Sequence, residues 1–129
     1  IKLGSLTPTR DFSYVQDTVD GFIAAVSSDK IFGETINLGS SFEISIFDTV
    51  KIIAKIMKVK VDIHEDPLRI RPPKSEVERL YSDNNKAKRL LSWEPKYGNE
   101  EGFKEGLTKT IDFFCSQKNL YSNSEFYAV

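Results

Sequence analysis

A single histidine, His64, leaves this chain without the two imidazoles that many metal sites need. It also makes a Ser-His-Asp arrangement depend on one residue that the local pattern turns outward from a strand. A single cysteine, Cys115, excludes an internal disulfide and falls near the apolar face of an expected helix, where packing is its role. Net charge is −1, with no dense basic patch outside one loop, so the electrostatic footprint of a nucleic-acid binder is missing. No run of about 18 apolar residues occurs, and no charged-then-apolar leader pattern opens the chain, which argues against a membrane span or a signal peptide. The chain reads as cytoplasmic. Glycine-rich phosphate loops of the G-x-G-x-x-G or G-x-x-x-x-G-K-[ST] kind are lacking, as are CxxC, HExxH and Gly-x-Ser-x-Gly. The 129 residues, 40% apolar and 29% charged, suffice for one soluble globular domain with a single core.

What is present centres on Arg69-Ile70-Arg71-Pro72-Pro73-Lys74-Ser75-Glu76-Val77-Glu78-Arg79. Adjacent prolines supply no N–H and fix φ, so this segment is an extended loop. Its arginine forks, with a carboxylate a few residues on, suit a ligand carrying phosphate and vicinal hydroxyls. A solvated charged connector has the same composition.

Around that loop the chain alternates strands and helices. Ile1–Gly4 alternates like part of a strand and lacks an initiator methionine, which suggests a boundary inside a larger protein or a designed expression boundary. Arg10–Val15 has strand composition, Asp17 is placed as an N-cap, and Val19, Phe22, Ile23 and Val26 form a stripe to be buried on a helix ending near Ser28. Thr35–Leu38 is an apolar strand, in which the Asn37 amide is expected to satisfy neighbouring backbone. Ser45 and Asp48 make a capping box for a helix whose inner face is Ile46, Val50, Ile53, Ala54 and Met57. Val59, Val61 and Ile63 alternate with Lys60, Asp62 and His64 as a half-buried strand. Asp83 caps a short helix lined by Ala87, Leu90 and Leu91, which ends at Trp93-Glu94-Pro95. Asn99 caps a last helix with Phe103, Leu107, Ile111 and Phe114 inward, and Gly102 and Gly106 permit close packing on it. The expected architecture is α/β or α+β-like, a small mixed β-sheet covered by helices.

Three ordered segments carry a resemblance: Thr9-Arg10-Asp11-Phe12-Ser13-Tyr14-Val15-Gln16-Asp17, Gly33-Glu34-Thr35-Ile36-Asn37-Leu38-Gly39-Ser40, and the run from Ser82 to Pro95. Over roughly residues 1 to 115 the chain resembles the C-terminal portion of the extended short-chain dehydrogenase/reductase family, the NAD-dependent nucleotide-sugar epimerases and 4,6-dehydratases. The long loop after Arg71 looks most like that of dehydratases acting on UDP-N-acetylglucosamine-type sugars.

The resemblance implies that residues 1–117 are the substrate-binding lobe of an extended Rossmann-type enzyme; residues 118–129 lose helical periodicity and are expected to be a frayed tail. It implies an N-terminal Rossmann half that carries NAD(P), a Tyr-x-x-x-Lys pair and the hydride chemistry at the sugar C4. No Tyr-x-x-x-Lys occurs here, since Tyr14 is followed by Thr18 and Tyr81 by Asn85. The partners implied are a nucleotide sugar, UDP-linked by preference, and that Rossmann half, so NAD(P) would sit outside this chain and no catalytic residue inside it. Carried onto matching positions, Arg10 and Arg71 contact the pyrophosphate and Glu76 accepts from ribose hydroxyls. Ser45 matches a position near the nucleotide that its capping role also explains. A lobe without its other half exposes apolar surface and is expected to self-associate. The rival expectation is a stand-alone, non-catalytic binding or interaction module.

Overall fold

The computed structural model describes residues 1–72 and 75–117. Pro73 and Lys74 of the proline loop, and the expected tail 118–129, lie outside the described residues. Elements follow in the order β1 (Lys2–Leu3), β2 (Thr9–Asp11), α1 (Val15–Val26), β3 (Glu43–Ser45), α2 (Ile46–Met57), β4 (His64–Glu65), a 3-10 turn (Pro67–Arg69), α3 (Asn85–Leu91) and α4 (Glu100–Ser116). The fold is mixed α/β, as expected, but the strands form two pairs. β1 and β4 run parallel with Lys2 opposite His64, and β2 and β3 run antiparallel with Arg10 opposite Ile44.

Local capping chemistry sets several helix ends. Ser45 Oγ accepts the Asp48 N–H at 3.0 Å and donates to the Asp48 carboxylate at 2.7 Å, which starts α2. Asn99 Oδ1 accepts the Gly102 N–H at 2.8 Å, which starts α4. Asp83 takes the Asn85 N–H at 2.9 Å, although Asn84 occupies the N-cap position of α3. Ser92 ends α3 at φ 53°, in the left-handed region where a side chain is strained. Ser92→Gly is therefore expected to stabilise the fold by about 0.5–1 kcal/mol. Thermal denaturation should show a Tm rise of roughly 2–4 °C, and a fall would contradict that strain.

The core holds Ile44, Ala87, Trp93, Tyr97 and Phe103. Phe103 of α4 packs between Phe12 and Phe42, with ring centroids 6.0 and 5.8 Å away. The two glycines of α4 serve close approach, since a Cβ on Gly106 would lie 3.2 Å from Tyr14 Cβ and 3.3 Å from its ring, and one on Gly102 would lie 2.5 Å from the Tyr97 backbone.

Several expectations are corrected. The α1 stripe points outward, with Phe22 64%, Ile23 60% and Val26 88% exposed. Its inward face is instead Asp17 and Gly21, a small face against which Leu38 and Trp93 pack. Asp17 is not the N-cap, which is Tyr14. It lies inside α1, 2% exposed, and its carboxylate accepts the Lys96 and Tyr97 N–H groups at 2.9 Å each. Thr35–Leu38 is not a strand, because no described segment pairs with its backbone. Asn37 is exposed, and Asn84 does the work expected of it by bonding both the N–H and the C=O of Gly39. Val61 and Ile63 keep the half-buried alternation while Val59 is exposed, and the ladder shrinks to His64–Glu65 because β1 offers only two partners. Cys115 is exposed, on the outer side of α4.

Candidate functional site

β2 and the returning end of the proline loop build the site together. Thr9 donates its N–H to Glu78 O at 2.9 Å and accepts the Leu80 N–H at 3.1 Å, so residues 78–80 lie beside β2 like a third strand. This pairing sets the loop's carboxylate next to Arg10. The Arg10 guanidinium donates to Glu76 Oε1 at 3.0 Å, to Val77 O at 2.7 Å and to Thr9 O at 2.8 Å. Both side chains are mostly buried, 20% and 14% exposed, so this is more than a surface pair.

The pair still has free bonding capacity. Glu76 uses only Oε1, for Arg10 and for the Val77 N–H, while Oε2 accepts nothing among the described residues. Arg10 uses its two terminal nitrogens, while Nε–H meets no described acceptor. A rigid guanidinium with an open donor beside a carboxylate with an open acceptor can bind an anion and a hydroxyl at once.

Asp11, next to Arg10, fixes the strand end. Its carboxylate accepts from the Ser40 N–H and hydroxyl at 2.6 Å each, and from the Ser41 and Ser82 N–H groups at 3.0 Å each. On the other edge, Glu43 of β3 takes a forked contact from Arg79, with Nε 2.8 Å from both carboxylate oxygens and Nη2 2.6 Å from Oε1. The hydrogen bonds from Arg79, then from Thr9, hold the Glu43 carboxyl below its usual range, and Glu43 raises Arg79 in turn.

Of the four residues expected in the site, the structure brings Arg10 and Glu76 into contact. Arg71 is exposed and bonds to no described residue, so its fork is open to solvent. Ser45 lies opposite Thr9 in the β2–β3 ladder, but its hydroxyl is used by the α2 cap. Glu43 was not anticipated. Its only trace in the sequence is the alternation Glu43-Ile44-Ser45, with Ile44 alone buried. A separate apolar cleft of 630 Å³, lined by residues such as Phe12, Tyr14, Ile53, Phe103 and Phe113, contains none of the four. No described group of three or more His, Cys, Asp or Glu side chains is placed to hold a metal, and no described helix is long and apolar enough to cross a membrane.

The family model described as GDP-mannose 4,6 dehydratase matches residues 1–106. The chain belongs to the extended short-chain dehydrogenase/reductase family. Its relatives there are NAD-dependent nucleotide-sugar epimerases and dehydratases. The chain is 32% identical to UDP-glucuronic acid decarboxylase 1 of Danio rerio, over 95% of its own length and 27% of that protein's. It superposes on an epimerase from Methanothermobacter thermautotrophicus with a TM-score of 0.82 and 31% identity, covering 95% of this chain and 35% of the other. The UDP-glucuronic acid 4-epimerase of Bacillus cereus, solved with UDP-glucuronic acid and NAD, gives a TM-score of 0.76 at 30% identity, over 93% and 35% of the two chains. This family member thus spans about a third of the length of the relatives it matches.

Proposed function

We propose that this chain is the nucleotide-sugar-holding portion of a cytoplasmic NAD-dependent 4,6-dehydratase or epimerase, with a UDP-sugar of the UDP-N-acetylglucosamine type as substrate. The observation that carries the reading is the Arg10–Glu76 pair, which keeps one donor and one acceptor open at the edge of the β2–loop pairing. In this reading Arg10 and Arg71 bind the diphosphate and Glu76 accepts from a ribose hydroxyl. Ser45 serves the fold.

In this reading the described residues take no dinucleotide. The β2-to-α1 turn is Phe12-Ser13-Tyr14, without glycine, and the hydroxyl at the start of α2 is already used by Asp48. No hydride or proton step is therefore assigned to this chain, and NAD would be held by a cofactor-binding portion outside it. That portion would cover the exposed α1 face of Phe22, Ile23 and Val26, which, left uncovered, favours self-association.

Arg71→Ala tests the reading, because the side chain is exposed and its loss should not disturb folding. Titration with UDP should show Kd raised about tenfold, the worth of one charge-assisted contact, with Tm unchanged. An unchanged Kd would remove Arg71 from the site. Comparing UDP with GDP tests the nucleotide preference.

A further inference from the structure

The clasp loop meets the β2–β3 pair through two ion pairs of opposite sense. At one, the sheet supplies the cation and the loop the carboxylate, Arg10 to Glu76. At the other the loop supplies the cation and the sheet the carboxylate, Arg79 to Glu43. Between them Thr9 gives the loop two backbone bonds and gives Glu43 its hydroxyl at 2.8 Å. Arg79 is thus bonded through Nε and Nη2 to both Glu43 oxygens, which ties one edge of its guanidinium to the sheet. Its guanidinium also lies over the Tyr81 ring, 5.2 Å from the centroid, which restrains the loop beyond the ion pair.

We propose that Glu43 is a positioning residue for the nucleotide clasp, holding the 76–80 segment through Arg79 and Thr9 so that Glu76 stays beside Arg10. The proposal rests on the functional reading above and adds to it a residue that touches no substrate. Without the Glu43 charge, the described bonds that hold the 76–80 segment itself are those to the Thr9 backbone and to Arg10, with the Ser82 N–H fixed to Asp11 just beyond it. The loop then samples positions in which Glu76 leaves Arg10, and ligand binding bears the cost of reordering it.

Two readouts on Glu43→Gln test this. Amide exchange at Thr9 and Leu80, the N–H groups that join loop and strand, should quicken about tenfold, while exchange in α4 at Phe103 stays as in wild type. The Kd for UDP should rise roughly fivefold. The exchanged pair Glu43→Arg with Arg79→Glu should restore both, which a role in general stability would not require. Equal Kd values for wild type and Glu43→Gln would overturn the proposal, and so would faster exchange spread evenly into α4. If wild type itself fails to bind UDP, the functional reading falls on its own account. Unchanged exchange at Thr9 and Leu80 would then overturn the anchoring as well.

Discussion

Arg10→Ala is expected to weaken UDP binding by about 2–3 kcal/mol, or roughly 30- to 150-fold in Kd. Two losses combine in that figure. The open Nε–H no longer meets the diphosphate, and Glu76 and Val77 lose the guanidinium that holds their loop to β2. Arg10→Lys separates them, since an ammonium keeps the charge but cannot span Glu76 Oε1, Val77 O and a ligand oxygen with one planar fork. The lysine variant should recover part of the affinity and less of the loop order. Isothermal titration with UDP gives the first, and backbone relaxation at Val77 the second. Full affinity in Arg10→Ala would exclude Arg10 from the site.

The largest effect on folding is expected at Asp17. Its carboxylate is 2% exposed and accepts the N–H groups of Lys96 and Tyr97, which fastens the turn after α3 to α1. Asp17→Ala leaves both N–H groups without an acceptor, at a cost of roughly 2–4 kcal/mol. That is a large share of the stability of a domain this size. The urea midpoint should fall accordingly. Asp17→Asn keeps one acceptor oxygen and should lose about half as much. Because Tyr97 carries the Tyr14 ring at 4.7 Å, loosening its segment also loosens the seat of α4. An unchanged midpoint in Asp17→Ala would show that water takes over both bonds.

A linear sequence reveals those features whose partners lie close together along it. Helix starts at Ser45 and Asn99 are legible because cap and helix lie within three residues of each other. The α1 stripe was legible as a face, but periodicity cannot say which face the rest of the chain covers. Here the covered face is Asp17 and Gly21, and the apolar one is left open. Thr35–Leu38 has the composition of a strand, yet a strand is defined by its partner, and none is described for it. The same limit applies to the site. Arg10 and Glu76 lie 66 positions apart, so their contact follows from the Thr9–Glu78 pairing and not from local chemistry. The family resemblance pointed to both residues without indicating that they touch. Asp11, beside Arg10, ties together three separate parts of the chain through four hydrogen bonds, none of them to a near neighbour in sequence.

The most direct test of the central claim is a ¹H–¹⁵N titration of the labelled chain with UDP, following backbone amides and the arginine Nε–H signals. The account predicts saturable shifts at Arg10 Nε–H and at the Arg71, Glu76 and Val77 amides, with the cleft under Tyr14 and Phe103 unchanged. Shifts confined to that cleft, or none that saturate by concentrations on the order of 10 mM, would contradict it.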